Sequence, residues 1–277
     1  MDYLKYGILG LVQGLTEFLP ISSSGHLAIF KSLLGEGFAD LGLTYDILLH
    51  LATLIAVFAV YYKDIWDLIT GFFALLRDIF KGKVNLNENP KQKFVILVII
   101  ASVPAALVGF LLGDAIETLP FIFVGFALII TAIEMIISSK MKPGTITLDN
   151  AKLKDAILPG LFQGFAILPG ISRSGSTVTG AFLSGFDRAF AVKFSFIMSI
   201  PVILGSALFD IIDILTGAAE APLMGPTLFG MVIAAISGYL SIKFMIKLFT
   251  GNKFRYFAYY CLAVGLAVII WQLSVIL

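Results

Sequence analysis

Two similar polar segments, half the chain apart, carry the residues best suited to chemistry. Residues 13–26, the first motif, are Gln-Gly-Leu-Thr-Glu-Phe-Leu-Pro-Ile-Ser-Ser-Ser-Gly-His. Residues 163–176, the second motif, are Gln-Gly-Phe-Ala-Ile-Leu-Pro-Gly-Ile-Ser-Arg-Ser-Gly-Ser. Both contain Gln-Gly, then Leu-Pro, then Ile-Ser-x-Ser-Gly, with the Gln and Ser residues 150 positions apart. A duplicated polar segment in an apolar chain predicts one site built from two halves.

The second motif has the residue types that bind anions. Arg173 lies between Ser172 and Ser174, and a guanidinium group can grip a phosphate with two parallel hydrogen bonds. In each motif a proline, Pro20 or Pro169, ends one helix, and serine then caps the next helix. The first-turn N–H groups of a capped helix remain free to bind an anion. Two such helix ends facing each other would suit a phosphate or a diphosphate.

The first motif adds groups that could move a proton or hold a cation. Gln13 and Glu17 have the i, i+4 spacing that puts them on one helix face. Their oxygens could hold a divalent cation, Mg²⁺ or Ca²⁺, or Glu17 could act as a base. Ser22, Ser23 and Ser24 offer hydroxyl nucleophiles. His26, three residues beyond Ser23, could activate the Ser23 hydroxyl or protonate a leaving group. Together with Arg173, this set predicts phosphoryl transfer.

Each of these residues also has a structural interpretation. Glu17 could be an interfacial carboxylate, Arg173 a clamp on helix carbonyls, His26 an interior histidine, and the serines helix caps alone. Ionisable groups inside a membrane are, however, expensive and usually functional. His50 has no partner in the sequence, which favours a structural role. Glu134 lies near the cytoplasmic end of its predicted span, where we expect it to reach water.

Composition places the chain in the membrane. It is 59% hydrophobic and 13% charged, with mean hydropathy +0.99, whereas soluble proteins carry about 25% charged residues. These values predict an all-α polytopic membrane protein. The net charge of +1 says nothing about nucleic acid, and no basic stripe with interleaved aromatic residues argues for it, so we expect no nucleic-acid partner. The single cysteine, Cys261, excludes an internal disulfide and a cysteine-based metal site, and we expect no cleavable signal peptide.

Hydropathy and loop charges predict the topology. About 20 apolar residues cross a bilayer, and six segments qualify: 45–62, 94–112, 119–138, 190–215, 226–249 and 256–277. Lys and Arg cluster in 63–93, 140–154 and 243–255, so these loops are predicted to be cytoplasmic, and the loops near 114 and 220 external. Residues 66–80 are predicted to form an interfacial helix.

The two motifs fall in segments too broken to cross the bilayer twice. We predict two re-entrant helix–loop–helix hairpins, 3–34 entering from outside and 155–187 entering from the cytoplasmic side. Residues 64–71 and 210–217 are also similar in sequence, and each segment follows the motif of its own half of the chain. The chain is therefore predicted to be one membrane domain made of an inverted-topology repeat, residues 1–150 and 151–277. Non-helical backbone at that depth must be buried or line a wet cavity.

The two motifs resemble the signature motifs of the bacterial undecaprenyl-diphosphate phosphatase family, also called the bacitracin-resistance family. The similarity extends over the whole chain in length and hydropathy. It implies hydrolysis of undecaprenyl diphosphate to undecaprenyl phosphate and inorganic phosphate, which recycles a lipid carrier for cell-wall synthesis and confers bacitracin resistance. It also implies a multi-pass protein of the bacterial plasma membrane that contacts membrane lipids, uses a divalent cation and opens its site to the periplasm or exterior.

By the same resemblance, four residues are catalytic: Glu17, Ser23, His26 and Arg173. The substrate-binding residues would be Gln13, Ser22, Ser24, Gly25, Ser172, Ser174, Gly175 and Thr177. Glu17 and Gln13 would be the metal ligands. This chain departs from the pattern at Gln13, where several relatives carry Glu. An amide can coordinate a metal but cannot act as a base, so a mechanism that needs two ionised carboxylates is in doubt here.

Two other functions fit parts of the sequence. Inverted repeats with broken helices are a transporter design, so the chain could be a lipid transporter or flippase, alone or in addition to hydrolysis. A scaffold without chemistry would leave Glu17 and Arg173 unexplained. The sequence leaves open the tail-length preference, the metal, the choice between a phosphoserine and direct water attack, and whether the protein is a homodimer.

Overall fold

The protein is described here from a computed structural model that covers residues 2–35, 43–86, 88–217, 223–250 and 253–276. Within these residues it is helical, without a β-strand; an isolated bridge joins Ile146 and Phe186. The first half contains α1 Asp2–Glu17, α2 Ser23–Leu34, α3 Leu43–Val60, α4 Tyr62–Phe80, α5 Pro90–Glu117 and α6 Ile122–Lys140. The second half contains a 3₁₀ turn, Leu153–Ala156, then α7 Ile157–Phe165, α8 Arg173–Leu183, α9 Arg188–Thr216, α10 Met224–Thr250 and α11 Phe254–Ile276.

The helix lengths confirm an all-α polytopic membrane protein. Over the described ranges, five helices are long and apolar enough to cross a membrane: α5, α6, α9, α10 and α11. A sixth span results if α3 and α4 are taken together, although they are bent by 96° at their junction. The helix after the bend begins at Tyr62, four residues before the start of the predicted interfacial helix 66–80.

The two motifs form matching helical hairpins. In the first, α1 ends at Glu17 and α2 begins at Ser23; in the second, α7 ends at Phe165 and α8 begins at Arg173. The cap serine of each second helix, Ser22 or Ser172, accepts a hydrogen bond of 3.2 Å from the N–H group three residues later. Local sequence therefore produces the same turn twice, as the N-cap preference of serine predicts.

The hairpins differ at one backbone position. The second motif contains an additional glycine, Gly170, with φ +95°, a conformation that glycine adopts without a steric penalty. The first motif lacks that residue, and Ser22 takes a φ of +70° instead. Ser22 is the one non-glycine residue with positive φ in the described part of the chain. Such values are uncommon outside glycine and cluster at functional sites.

Small residues let each hairpin pack against the opposite half of the chain. Helix α1 packs on α10, and α7 packs on α5. A Cβ atom added to Gly10 would lie 2.2 Å from the carbonyl oxygen of Gly230, and one added to Gly160 would lie 2.9 Å from the backbone of Ala101. Close backbone approach at small residues is how membrane helices associate. Since Gly10 and Gly160 are 150 positions apart, equivalent residues of the two hairpins make equivalent close contacts. The division into two repeats, 1–150 and 151–277, stays a prediction. The entry of the hairpins from opposite faces stays a prediction.

Candidate active site

The turns of the two hairpins contact each other inside the protein. The Cα of Gly170 would lie 3.1 Å from a Cβ added to Gly25, and the Cβ of Pro20 would lie 3.2 Å from one added to Gly175. The Ser174 hydroxyl, from the second motif, donates a hydrogen bond of 3.1 Å to the carbonyl of Leu19 in the first. The motifs that are far apart in sequence therefore form one structural unit.

Helices α6 and α11 hold this unit from the side. Ser176 of α8 donates a 2.6 Å hydrogen bond to Glu134 of α6. His26, which is 150 positions before Ser176, lies 2.7 Å from the Tyr260 hydroxyl of α11. Each hairpin is thus fixed at an equivalent residue by a helix of the other half.

Glu17 is the centre of a polar cluster. It is only 5% exposed, and its Oε1 accepts a hydrogen bond from the Arg173 guanidinium. Its Oε2 accepts hydrogen bonds of 2.5 Å from the Ser23 hydroxyl and 2.9 Å from the Gln13 amide. The Nε2 of His50 lies 3.4 Å from the same oxygen. The carboxylate from the first motif is therefore paired with the guanidinium from the second.

These groups line a cavity of about 260 Å³. Its polar wall consists of Glu17, Ser23, Ser24, His50, Gln163, Ser172, Arg173 and Ser206. The rest of the wall is aliphatic, with Ile47, Ala166, Ile167, Ile171, Val202 and Ile203. A cationic group, a carboxylate and a serine hydroxyl on one side, facing apolar side chains, fit a ligand with an anionic head and a hydrocarbon tail.

Burying the charges of Glu17 and Arg173 costs free energy of desolvation. Transferring an ion pair from water to a protein interior costs several kcal/mol per ion, and the mutual attraction often only offsets that cost. The Arg173 side chain is 22% exposed and that of Glu17 is 2% exposed, so the pair is accessible from the guanidinium side. Arg173 is therefore the more accessible partner of the pair.

His26 is engaged elsewhere. Its Nδ1 lies 2.7 Å from the carbonyl of Ser22, which makes Nδ1 the protonated nitrogen, and its Nε2 faces Tyr260. The ring also stacks on Tyr260, with ring centroids 5.6 Å apart. His26 is absent from the cavity wall, and this geometry suits a group that supports the first turn of α2. Its predicted part in activating Ser23 stays untested.

His50 is the site residue that the sequence prediction missed. It was assigned a structural role, yet its ring reaches the cavity wall and Glu17. Its Nδ1 donates to the carbonyl of Asp46, 2.7 Å away, so Nε2 donates towards Glu17 only when the ring is an imidazolium. Asp46 in turn pairs with Lys31 of α2 at 2.8 Å. No local motif marks His50, because the contact depends on α3 lying beside the first hairpin.

The expectation that Glu134 reaches water is wrong. Glu134 is 6% exposed and its carboxylate accepts the Ser176 hydroxyl, which is fully buried. The reason is tertiary: α8 packs against α6 at this level and covers a residue that hydropathy placed near the end of its span.

The other predicted site residues form two groups: those that line the cavity and those that lie outside its wall. Ser24 and Ser172 line the cavity. Ser22 caps α2, and the Thr177 hydroxyl donates to the carbonyl of Arg173 at 2.8 Å. Gln13, Ser22, Gly25, Ser174, Gly175 and Thr177 lie behind the wall rather than in it. They therefore shape the two turns that present Ser23 and Arg173.

Oxygen donors for a cation are few. Over the described ranges, no group of three His, Cys, Asp or Glu residues is arranged to hold a metal ion. The predicted ligands are Glu17, which lines the cavity, and Gln13, whose buried Oε1 has no hydrogen-bond partner among the described residues. Because the Gln13 amide nitrogen donates to Glu17, the amide would have to rotate for both oxygens to face one cation. Mg²⁺ is often bound by one or two protein oxygens together with substrate phosphates and water, and this donor set suits a cation that arrives with a diphosphate.

Comparisons with known proteins show which family the chain resembles. Residues 6–267 match the family described as "Bacitracin resistance protein BacA". The chain is 42% identical over 283 residues to a protein named undecaprenyl-diphosphatase from Methanosphaera stadtmanae, with all of both chains covered. It is 40% identical to the protein of that name from Methanobrevibacter smithii, over 99% of each chain. It is also 38% identical to that of Alkaliphilus metalliredigens, over 99% of this chain and 100% of the other.

Proposed function

The chain belongs to the bacitracin resistance protein family, and we propose that it hydrolyses undecaprenyl diphosphate to undecaprenyl phosphate and inorganic phosphate. It is a multi-pass membrane enzyme, and its product is the recycled lipid carrier for cell-wall synthesis, which is how such an enzyme confers bacitracin resistance. The observation that carries the site assignment is the contact of Glu17 with Arg173 and Ser23 across the two motifs. This contact supports the proposal that Glu17 is a base, Ser23 a nucleophile and Arg173 a phosphate-binding cation in one cavity.

Arg173 is proposed to bind the terminal phosphate. The substrate head group brings negative charge to the guanidinium, which exchanges its bond with Glu17 for bonds with phosphate oxygens. The N-terminal turns of α2 and α8 add their first-turn amides and helix dipoles, which also favour an anion. Fixed positive groups in a site shielded from bulk water stabilise charge as it develops in the transition state.

Ser23 is proposed to attack the terminal phosphorus, with Glu17 as the base. The hydroxyl already donates to the Glu17 carboxylate at 2.5 Å, so the proton that Ser23 loses has an acceptor in place. As the bond from Ser23 Oγ to phosphorus forms, the bond to the bridging oxygen breaks. Glu17 passes the proton it took from Ser23 to that oxygen, undecaprenyl phosphate leaves, and Glu17 is again a free base. Water then cleaves the phosphoserine to release inorganic phosphate. His50 donates to Glu17 when protonated and so helps orient the carboxylate.

A divalent cation, Mg²⁺ or Ca²⁺, is proposed to bind with the substrate. Glu17 and the amide oxygen of Gln13 are the protein oxygens that would hold it. When bound, the cation supplies positive charge that offsets the charge of the diphosphate.

The lipid tail is proposed to leave the cavity along its aliphatic wall. Three residues of this wall are Ile167, from the second motif, and Val202 and Ile203, from α9. An isoprenoid chain buried there would gain about 25 cal/mol for each Å² of apolar surface removed from water. We expect the head group to enter from the external face, as the topology of the first hairpin predicts.

The experiment that tests the function is phosphate release from a short polyprenyl diphosphate by detergent-purified protein. It is run with and without Mg²⁺ or Ca²⁺, beside Glu17→Ala and Arg173→Ala. Ser199→Ala is the matched control, because the Ser199 hydroxyl donates to a carbonyl of its own helix, outside the cavity. The proposal requires wild type and Ser199→Ala to release phosphate, and both site variants to lose most of that activity while remaining folded. Full activity in either site variant would contradict it.

Lipid transport is a second candidate because the reciprocal packing of α1 on α10 and α7 on α5 resembles a repeat-based transporter. Sealed vesicles with substrate on one leaflet separate the two activities. Movement of the lipid monophosphate to the other leaflet would support a dual role. Cleavage without movement would leave hydrolysis alone.

A further inference from the structure

Gln163 occupies the position in the second motif that Gln13 occupies in the first, 150 residues earlier. It is 1% exposed and forms part of the cavity wall together with Glu17, Ser23 and Arg173. The steps proposed for Glu17, Ser23 and Arg173 do not use Gln163.

The orientation of the Gln163 amide is fixed by its donors. Its Nε2 lies 3.1 Å from the carbonyl of Ala101 on α5 and 3.5 Å from the carbonyl of Met198 on α9. Both neighbours are acceptors, so the NH₂ group must face them and Oε1 must face the other way. Oε1 is buried and has no hydrogen-bond partner within the described ranges. A buried acceptor without a partner costs about 1–3 kcal/mol, and a hydrogen-bond donor bound in the cavity would remove that cost.

The ligand of this oxygen must be a donor. A phosphate oxygen is itself an acceptor and would repel the amide oxygen. A cation is a poor fit, because Gln163 is followed four residues later by Ile167, where Gln13 is followed by Glu17. The second motif therefore supplies a neutral acceptor without a carboxylate beside it. A water molecule needs only such an acceptor and a second partner, which Glu17 offers in the same cavity.

We propose that Gln163 positions the water molecule that hydrolyses the phosphoryl group. This rests on the proposed function. The water donates one hydrogen to Gln163 Oε1 and passes the other proton to Glu17 as its oxygen bonds to phosphorus. The bond between phosphorus and Ser23 Oγ breaks, Glu17 gives the proton it took from water to Oγ, and inorganic phosphate is released. Gln163 is a positioning residue in this step, and each half of the repeat supplies one glutamine with a different task.

The test compares Gln163→Met, which has similar length and no acceptor in that place, with Gln163→Glu, which retains an acceptor oxygen. Purified full-length protein is assayed with a short polyprenyl diphosphate over ranges of substrate and Mg²⁺. Misplacing a reacting group can cost about 100-fold in rate. We expect kcat of Gln163→Met to fall by about 10-fold to 100-fold, with KM and the half-saturating Mg²⁺ concentration within about twofold of wild type. Gln163→Glu should recover part of kcat.

Each other outcome overturns the proposal. An unchanged kcat shows that the oxygen is not used. A higher KM with normal kcat makes Gln163 a substrate-binding group, and a higher Mg²⁺ requirement with normal kcat at saturation makes it a cation ligand. A lower melting temperature with equal loss in both variants indicates a purely structural role. Failure of the proposed function would be distinguished by inactive wild type or by full activity in Glu17→Ala.

Discussion

Ser23 and Arg173 are equivalent residues of the two motifs, 150 positions apart, and both donate to the carboxylate of Glu17. Each is the first residue of a helix capped by serine. The same backbone turn therefore presents a hydroxyl in one half and a guanidinium in the other. The different residue at this one position is what gives the two similar helix ends different chemistry, a hydroxyl at Ser23 and a guanidinium at Arg173.

The pairing of Glu17 with Arg173 predicts strong coupling between them in stability. Glu17→Gln or Arg173→Gln alone leaves a buried charge without its partner, which costs about 3–5 kcal/mol. The double variant should therefore unfold at a temperature no lower than the worse single variant. Thermal unfolding of wild type, the two single variants and the double variant, in detergent without substrate, measures this coupling as a double-mutant cycle. Additive losses would show that the two residues do not interact in the resting protein.

Ser23 is expected to be essential for turnover. Ser23→Ala removes the proposed nucleophile and should lower kcat by about 1000-fold or more, as nucleophile removal does in other hydrolases. Wild type given substrate labelled in its terminal phosphate should yield labelled protein on rapid quenching, and Ser23→Ala should not. Ser199→Ala serves as the control and should behave as wild type. Retained turnover in Ser23→Ala would assign the attack to water directly.

Much of this arrangement follows from the sequence for local reasons. Helix length, the proline that precedes each turn and the serine caps are encoded within a few residues, so the hairpins and most spans were predictable. The repeat added long-range information, since equivalent residues must occupy equivalent places. For that reason the sequence alone groups Glu17, Ser23 and Arg173 in one predicted site.

The residues that were missed depend on packing between distant elements. His50 meets Glu17 because α3 lies beside the first hairpin, and Glu134 is buried because α8 covers α6. Neither residue has a sequence neighbour that reports these contacts. The orphaned oxygen of Gln163 is likewise visible only when the carbonyls of α5 and α9 are in place.

The contact of His50 with Glu17 predicts a moderate effect on catalysis. His50→Leu removes the ring that donates to Oε2 when it is protonated, and losing a hydrogen bond to a charged group costs about 1.5–3 kcal/mol. We therefore expect kcat/KM to fall by about 10-fold to 100-fold. His50→Gln can still donate to Glu17 and should lose less. Steady-state kinetics compare the two variants, and equal losses in both would indicate that the imidazole fills space only.

The close approach of α1 and α10 predicts a strict size limit at Gly10. In Gly10→Ala the new methyl group would meet the Gly230 carbonyl at 2.2 Å, so the helices must separate. Overpacking of this kind typically costs about 1–3 kcal/mol, and α1 carries Glu17, so both melting temperature and activity should fall. Gly205→Ala is the matched control, with nothing within 4 Å of the added atom. It should leave both measurements unchanged or raise stability slightly. Equal tolerance of the two substitutions would contradict the packing.

The proposed entry of the hairpins from opposite faces predicts opposite labelling of their ends. Single cysteines are introduced by Leu34→Cys, at the end of α2, and Lys154→Cys, before α7. The background is Cys261→Ser, which retains a donor to the Pro20 carbonyl. A membrane-impermeant maleimide applied to intact cells should label the cysteine at position 34 and spare that at 154, and inside-out vesicles should give the reverse. Val84→Cys, in the lysine-rich segment after α4, is the cytoplasmic reference and should follow position 154. If positions 34 and 154 are labelled from the same side, the repeat is not inverted. The composite site would then have to be explained without a twofold axis in the membrane plane.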